Sequence, residues 1–199
     1  MSIDITSFQK YNVIDTCSIW NILSSRVLYA ASAAGGCMFC CTQFVLYECV
    51  YKPRKIIKPH EIELKKRLSI EQSKGKLMCY PINIDDLIEV EYLVKTKNLS
   101  KGELSSMVFA KKTRQAFLTD DQGARKLATE YIGDITMIQT TPQLFGWLFY
   151  NGNLSDADKD PIIGEHNSFD GPLERYFNET YRWALELRLA KYCSSTEYK

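Results

Sequence analysis

The chain has 199 residues, is 45% apolar and 25% charged, and sets 25 Lys and Arg against 24 Asp and Glu for a formal charge of +1. That apolar content suffices for one sizeable core, whereas two full domains would be cramped, since domains commonly run to about 100 to 200 residues. Near-zero net charge excludes a bulk acidic or basic character, so a nucleic-acid surface has to be a local patch.

The N-terminal stretch MSIDITSFQKYNVID has no basic region followed by an apolar segment. No window approaches the roughly 18 uninterrupted apolar residues of a membrane span, so a soluble, cytoplasmic protein is expected. The cysteine count of seven is odd, and Cys17, Cys49 and Cys193 sit singly, which fits reduced thiols better than a disulfide framework. Cys37, Cys40 and Cys41 have a CxxC spacing, but no second CxxC or His pair completes four zinc ligands, and buried strand thiols are the simpler reading.

YNVID (11 to 15) predicts a short buried strand, and SIWNILSSRVLYAAS after it predicts one helix, with Ile19, Ile22, Leu23, Val27 and Leu28 at helical spacing. Gly35 and Gly36 end it. CMFCC predicts a strand and TQFVLYECVYK a helix capped by Thr42 and bearing Glu48. Pro59 suits the first turn of a helix over 58 to 75, KLMCYPIN is strand-like, and IDDLIEVEYLVKTKN is helical. A helix then opens at LSKGELSS, followed by a strand at 115 to 119, a helix in DQGARKLATEY, a strand at 134 to 140, and a helix opened by Thr141 and Pro142. Strands alternating with helices, without hairpin turns, predict an α/β fold: a central parallel sheet of about four to five strands flanked by helices. Residues 1–150 form that domain. Residues 151–199 are a helical C-terminal extension that starts polar and turn-rich and ends in an amphipathic stretch, whose Leu173, Phe177, Trp183 and Leu187 dock on the core or on a partner.

Ligands in open α/β sheets gather outside the carboxyl ends of the strands. Asp15 closes the first strand, Asp120 and Asp121 close the strand at 115 to 119, and Glu48 and Glu103 lie on helices that can reach the same edge. Converging carboxylates repel one another, and an oxygen-only cluster selects Mg²⁺ or Mn²⁺ over zinc. Such a site stabilises charge on a phosphoryl group, so phosphodiester hydrolysis is the natural chemistry. Each acid also has a structural alternative: Asp15 as a helix cap, Ser100 and Glu103 as a capping box, one of Asp120 and Asp121 as the cap of the helix that follows them. Glu48 has mainly apolar neighbours in FVLYECV and needs a partner.

Four segments in order, VIDTCSIWNIL, VLYECV, LSKGELSSMVFAKK and AFLTDDQGARKLA, resemble the PIN-domain nucleases over roughly residues 11 to 150. The resemblance implies an endoribonuclease that hydrolyses phosphodiester bonds of single-stranded RNA with Mg²⁺ or Mn²⁺ held by about three to five acids. Carried over, the acids are Asp15, Glu48, Glu103 and Asp121, the last matching a T-x-D pattern, with Asp120 as an outer or additional ligand. Thr16, Ser18 and Thr119 are hydroxyls placed to orient carboxylates or phosphate. Lys52, Arg54, Lys55, Lys112, Arg114 and Arg125 are candidate phosphate contacts, and Tyr47 or Tyr51 candidate stacking platforms. Cys17 departs from the family's small polar residues, and 151–199 exceeds what compact members need. The resemblance also implies a toxin of a toxin–antitoxin pair or a defence effector, with an antitoxin-like inhibitor and a homodimer as partners. The competing reading is a catalytically silent PIN-like binding or scaffold module.

Overall fold

The computed structural model describes residues 4–53, 58–96 and 98–196. Five short parallel strands form one sheet: β1 (Tyr11–Ile14), β2 (Met38–Thr42), β3 (Leu77–Tyr80), β4 (Ala116–Leu118) and β5 (Ile138–Gln139), in the order β3-β2-β1-β4-β5. The chain winds outward from β1 to β3, returns across the sheet, and winds out again through β4 and β5. The order therefore reverses between β1 and β4, where adjacent connections leave in opposite directions and open a crevice.

Alternation along the strands divides the core into two layers. Ile14, Phe39, Cys41 and Leu118 face a layer built by helices α1 (Thr16–Ser24), α2 (Arg26–Ala34), α4 (Pro59–Ser73), α8 (Thr141–Tyr150), α9 (Lys159–Ser168) and α10 (Glu174–Thr196). Val13, Cys40 and Phe117 face the other layer, which α5 (Ile84–Thr96), α6 (Lys101–Thr113) and α7 (Gln122–Ile132) cover. The short α3 (Gln43–Leu46) runs from β2 into a π-helical turn over Tyr47–Tyr51. The α/β class, the parallel sheet and the helical C-terminal segment agree with expectation.

Three local readings are corrected. The single helix expected after β1 is two, because Ser25 is extended (φ −111°, ψ 122°) and its hydroxyl accepts from Leu28 N to start α2. The strand expected over 134 to 140 is mostly a 3-10 turn, Ile135–Met137, capped by Asp134, and only Ile138 and Gln139 pair with β4. The polar stretch after Gly152 contains a helix, α9, whose Ile162, Ile163 and His166 are buried. Its apolar positions were too few to announce it, yet they fill a gap between α1 and α10.

The C-terminal helix packs on α8. Phe177 stacks on Phe145 with ring centroids 4.6 Å apart, and Leu173, Phe177 and Ala184 belong to the same core as the sheet. Trp183 and Leu187, expected to dock, remain partly exposed on the outer side of α10. Among the described residues no helix is long and apolar enough to cross a membrane.

Candidate functional site

The carboxyl ends of β1 and β4 carry Asp15 and Thr119–Asp120–Asp121 at the point where the strand order reverses. Asp15 is fully buried. It caps α1, accepting from Ser18 N at 2.9 Å, and it also accepts from Thr119 Oγ1 at 2.5 Å and from the Cys17 thiol at 3.1 Å. The Thr119 hydroxyl accepts from Asp121 N at 3.2 Å, so its proton is directed at Asp15. Burial raises the Asp15 carboxyl to about 6, against the pull of these donors and with a further push from the Asp120 charge. Burial and the neighbouring carboxylates keep the Cys17 thiol protonated, so it acts as a donor to Asp15.

Asp120 and Asp121 divide the work in the reverse of the expected way. Asp121 caps α7, accepting from Ala124 N at 2.7 Å. Asp120 turns inward, where it accepts from Thr141 N at 2.8 Å, Thr141 Oγ1 at 2.6 Å, Asn21 Nδ2 at 2.8 Å and Ser18 Oγ at 3.4 Å. Strand alternation decides this, since consecutive residues beyond β4 point to opposite sides. Asn21 and Thr141 were missed from sequence; Asn21 could have been found as the residue one turn beyond Ser18 on the same face of α1.

Glu48 occupies the π-helical turn after α3, a widened backbone that often marks functional positions. Its carboxylate accepts from Thr16 Oγ1 at 2.8 Å and from Gly102 N at 3.2 Å, at the positive end of α6. Glu48 lines a groove of about 690 Å³ with Phe44, Tyr47, Lys52 and Leu87. Glu103 forms the capping box with Ser100, its carboxylate accepting from Ser100 N at 2.7 Å while Ser100 Oγ accepts from Glu103 N.

The structure thus brings together Asp15, Thr16, Ser18, Thr119 and Asp120, with Glu48 attached through Thr16. Arg125 is half-buried on the first turn of α7, one turn beyond Asp121. Lys112 and Arg114 do not belong to the group. They lie at the C-terminal end of α6, about 13 Å along the helix from Glu103, because α6 runs antiparallel to the sheet. Lys112 instead pairs with Asp86 at 2.9 Å. Arg54 and Lys55 lie outside the described residues.

The donor set as packed does not fit a divalent cation. Among the described residues no group of three or more His, Cys, Asp or Glu side chains is placed to hold a metal ion, and each of the five acids is engaged by protein donors. Repulsion between the carboxylates is offset here by hydrogen bonds and by the raised pKa of Asp15. Comparison with family models, curated proteins and solved structures finds no match.

Proposed function

We propose that this chain is a PIN-type ribonuclease acting on single-stranded RNA in the crevice between β1 and β4. The observation that supports it most is the pairing of Asp15 with Thr119, beside Asp120, at the reversal of strand order, where α/β sheets bind their ligands. A buried acid titrating near 6 is a further mark of a functional site. Lys52 and the half-exposed Tyr47 in the adjoining groove offer a phosphate contact and a stacking face. Such hydrolysis ordinarily draws on Mg²⁺ or Mn²⁺, and since the acids are engaged by protein donors, the reading assigns the cation neither ligands nor a step. A cytoplasmic setting, an antitoxin-like inhibitor and a homodimer belong to the same proposal; seven cysteines, none of them in a disulfide, suit a reducing compartment.

The saturation of the acids by internal donors favours a second reading, a silent PIN-like binding module. One experiment separates the two. Fluorescent single-stranded RNA is incubated with the chain in Mg²⁺ or Mn²⁺, alongside Asp15→Asn and Asp120→Asn variants whose folding is checked by circular dichroism. Cleavage lost in both variants is the expected result; equal cleavage by all three proteins sinks the ribonuclease. No cleavage by the wild type, together with no heat of Mn²⁺ binding, selects the silent module.

A further inference from the structure

Cys41 on β2 and Cys79 on β3 are register partners across adjacent parallel strands. Register partners point to the same side of a sheet, and both thiols contact the same core layer, whereas Cys40 contacts the opposite one. Neighbouring strands lie about 4.8 Å apart, inside the roughly 4.4 to 6.8 Å that a disulfide spans between Cα atoms. The two thiols differ in access: Cys41 is fully buried and Cys79 only partly so. β3 is an edge strand, paired on one side alone, so it can shift slightly to accommodate a new bond.

We infer that Cys79 and Cys41 form an oxidisable dithiol that takes hydroperoxides as its oxidant, with Cys79 reacting first and Cys41 closing a disulfide between β2 and β3. The electronic setting agrees with that order. The interaction between the two thiols holds Cys79 below its usual range and, together with burial, pushes Cys41 up. The thiolate is the nucleophile, so the partly exposed, more acidic sulfur is the one that attacks.

In the first step the Cys79 sulfur attacks the outer oxygen of a hydroperoxide. The O–O bond breaks, the alcohol or water leaves with the thiol proton, and Cys79 becomes a sulfenic acid. In the second step the Cys41 sulfur attacks the Cys79 sulfur, the S–O bond breaks, and water leaves with the Cys41 proton. Two thiols and one hydroperoxide give one disulfide, one alcohol or water, and one water. The closed loop contains Glu48, so the bond ties together the two ends of the segment that carries it.

The test uses the full chain, reduced and then titrated with hydrogen peroxide, with remaining thiols alkylated and peptides mapped by mass spectrometry. The expected product at low peroxide is a Cys41–Cys79 linked peptide pair, lighter by about 2 Da than its parts and reopened by dithiothreitol. Cys79→Ser prevents the link, and Cys41→Ser halts at a Cys79 sulfenic acid that dimedone traps. Cys41 and Cys79 both alkylated at full yield after peroxide, or a Cys41–Cys49 link in place of Cys41–Cys79, overturns the inference. The wild-type map decides the matter even if Cys41→Ser does not fold, and it reads thiol chemistry alone, independently of any RNA cleavage.

Discussion

The amide of Gly102 lies directly beneath the carboxylate of Glu48, so close that a Cβ at position 102 would overlap Glu48 Oε2 and come within 2.8 Å of its Cδ. An exposed helical Gly normally gains about 1 kcal/mol on replacement by Ala. Here Gly102 is buried and the carboxylate is held by Thr16, so Gly102→Ala is expected to destabilise by about 1–2 kcal/mol. Denaturant unfolding measures it. Combining Gly102→Ala with Glu48→Ala should recover most of the loss, and a fully additive double-mutant cycle would contradict the contact.

Asp15 makes the fold more stable as it takes up a proton. Its carboxyl is raised from 3.8 to about 6, so between those values the native state holds more protons than the unfolded chain, and stability grows as pH falls through that window. Above about pH 7 the buried charge is a cost of up to about 3 kcal/mol. Asp15→Asn, which keeps an acceptor for Ser18 N and turns an N–H toward Thr119 Oγ1, should therefore raise the melting temperature at neutral pH and remove the Asp15 share of this dependence. Thermal unfolding at several pH values reads both effects.

His166 acts in the opposite direction. Its ring is buried between α1 and α10, with Nδ1 at 2.8 Å from Ser24 Oγ and Nε2 accepting from Leu173 N at 3.1 Å. Nε2 accepts, so Nδ1 carries the proton of the neutral ring and donates to Ser24. Burial lowers its pKa from 6.5 to about 4, so the unfolded chain binds the extra proton first and stability is lost as pH falls from about 6.5 toward 4. The Asp15 and His166 slopes oppose each other over much of this range. Urea unfolding should show a steeper acid loss in Asp15→Asn than in wild type, and a shallower one in His166→Gln.

The two sides of α10 predict different costs. Phe177→Ala removes a ring packed on Phe145 and His166 and should cost about 3–5 kcal/mol. Leu189→Ala, at an exposed position on the same helix, should stay within about 0.5 kcal/mol. Equal effects in denaturant unfolding would remove the docking of α10 on α8.

Much of the fold was legible because parallel strands leave local marks. CMFC and AFL are unbroken apolar runs, YNVI is interrupted by Asn12 alone, and Thr42, Ser100 and Pro59 occupy their expected cap or first-turn positions. Ser25 carries no local mark of a break, since the apolar period continues across it while a single hydroxyl accepting from Leu28 N redirects the chain. At the site, Asp15 and Thr119 were named from their strand ends, and the Glu103 capping box was readable from its spacing. Lys112 was misplaced because nearness in sequence to Glu103 says nothing about which end of a helix faces the crevice.

The sequence by itself determined the periods, the caps and the acids at strand ends, because each depends on residues within a few positions of one another. Only the tertiary structure decided that Asp120 rather than Asp121 turns toward Asp15, that Glu48 rests on the N-terminus of α6, and that Cys41 meets Cys79. Each of those joins segments 54 to 102 positions apart or depends on strand pairing and register, which packing of the two core layers selects and no local preference encodes.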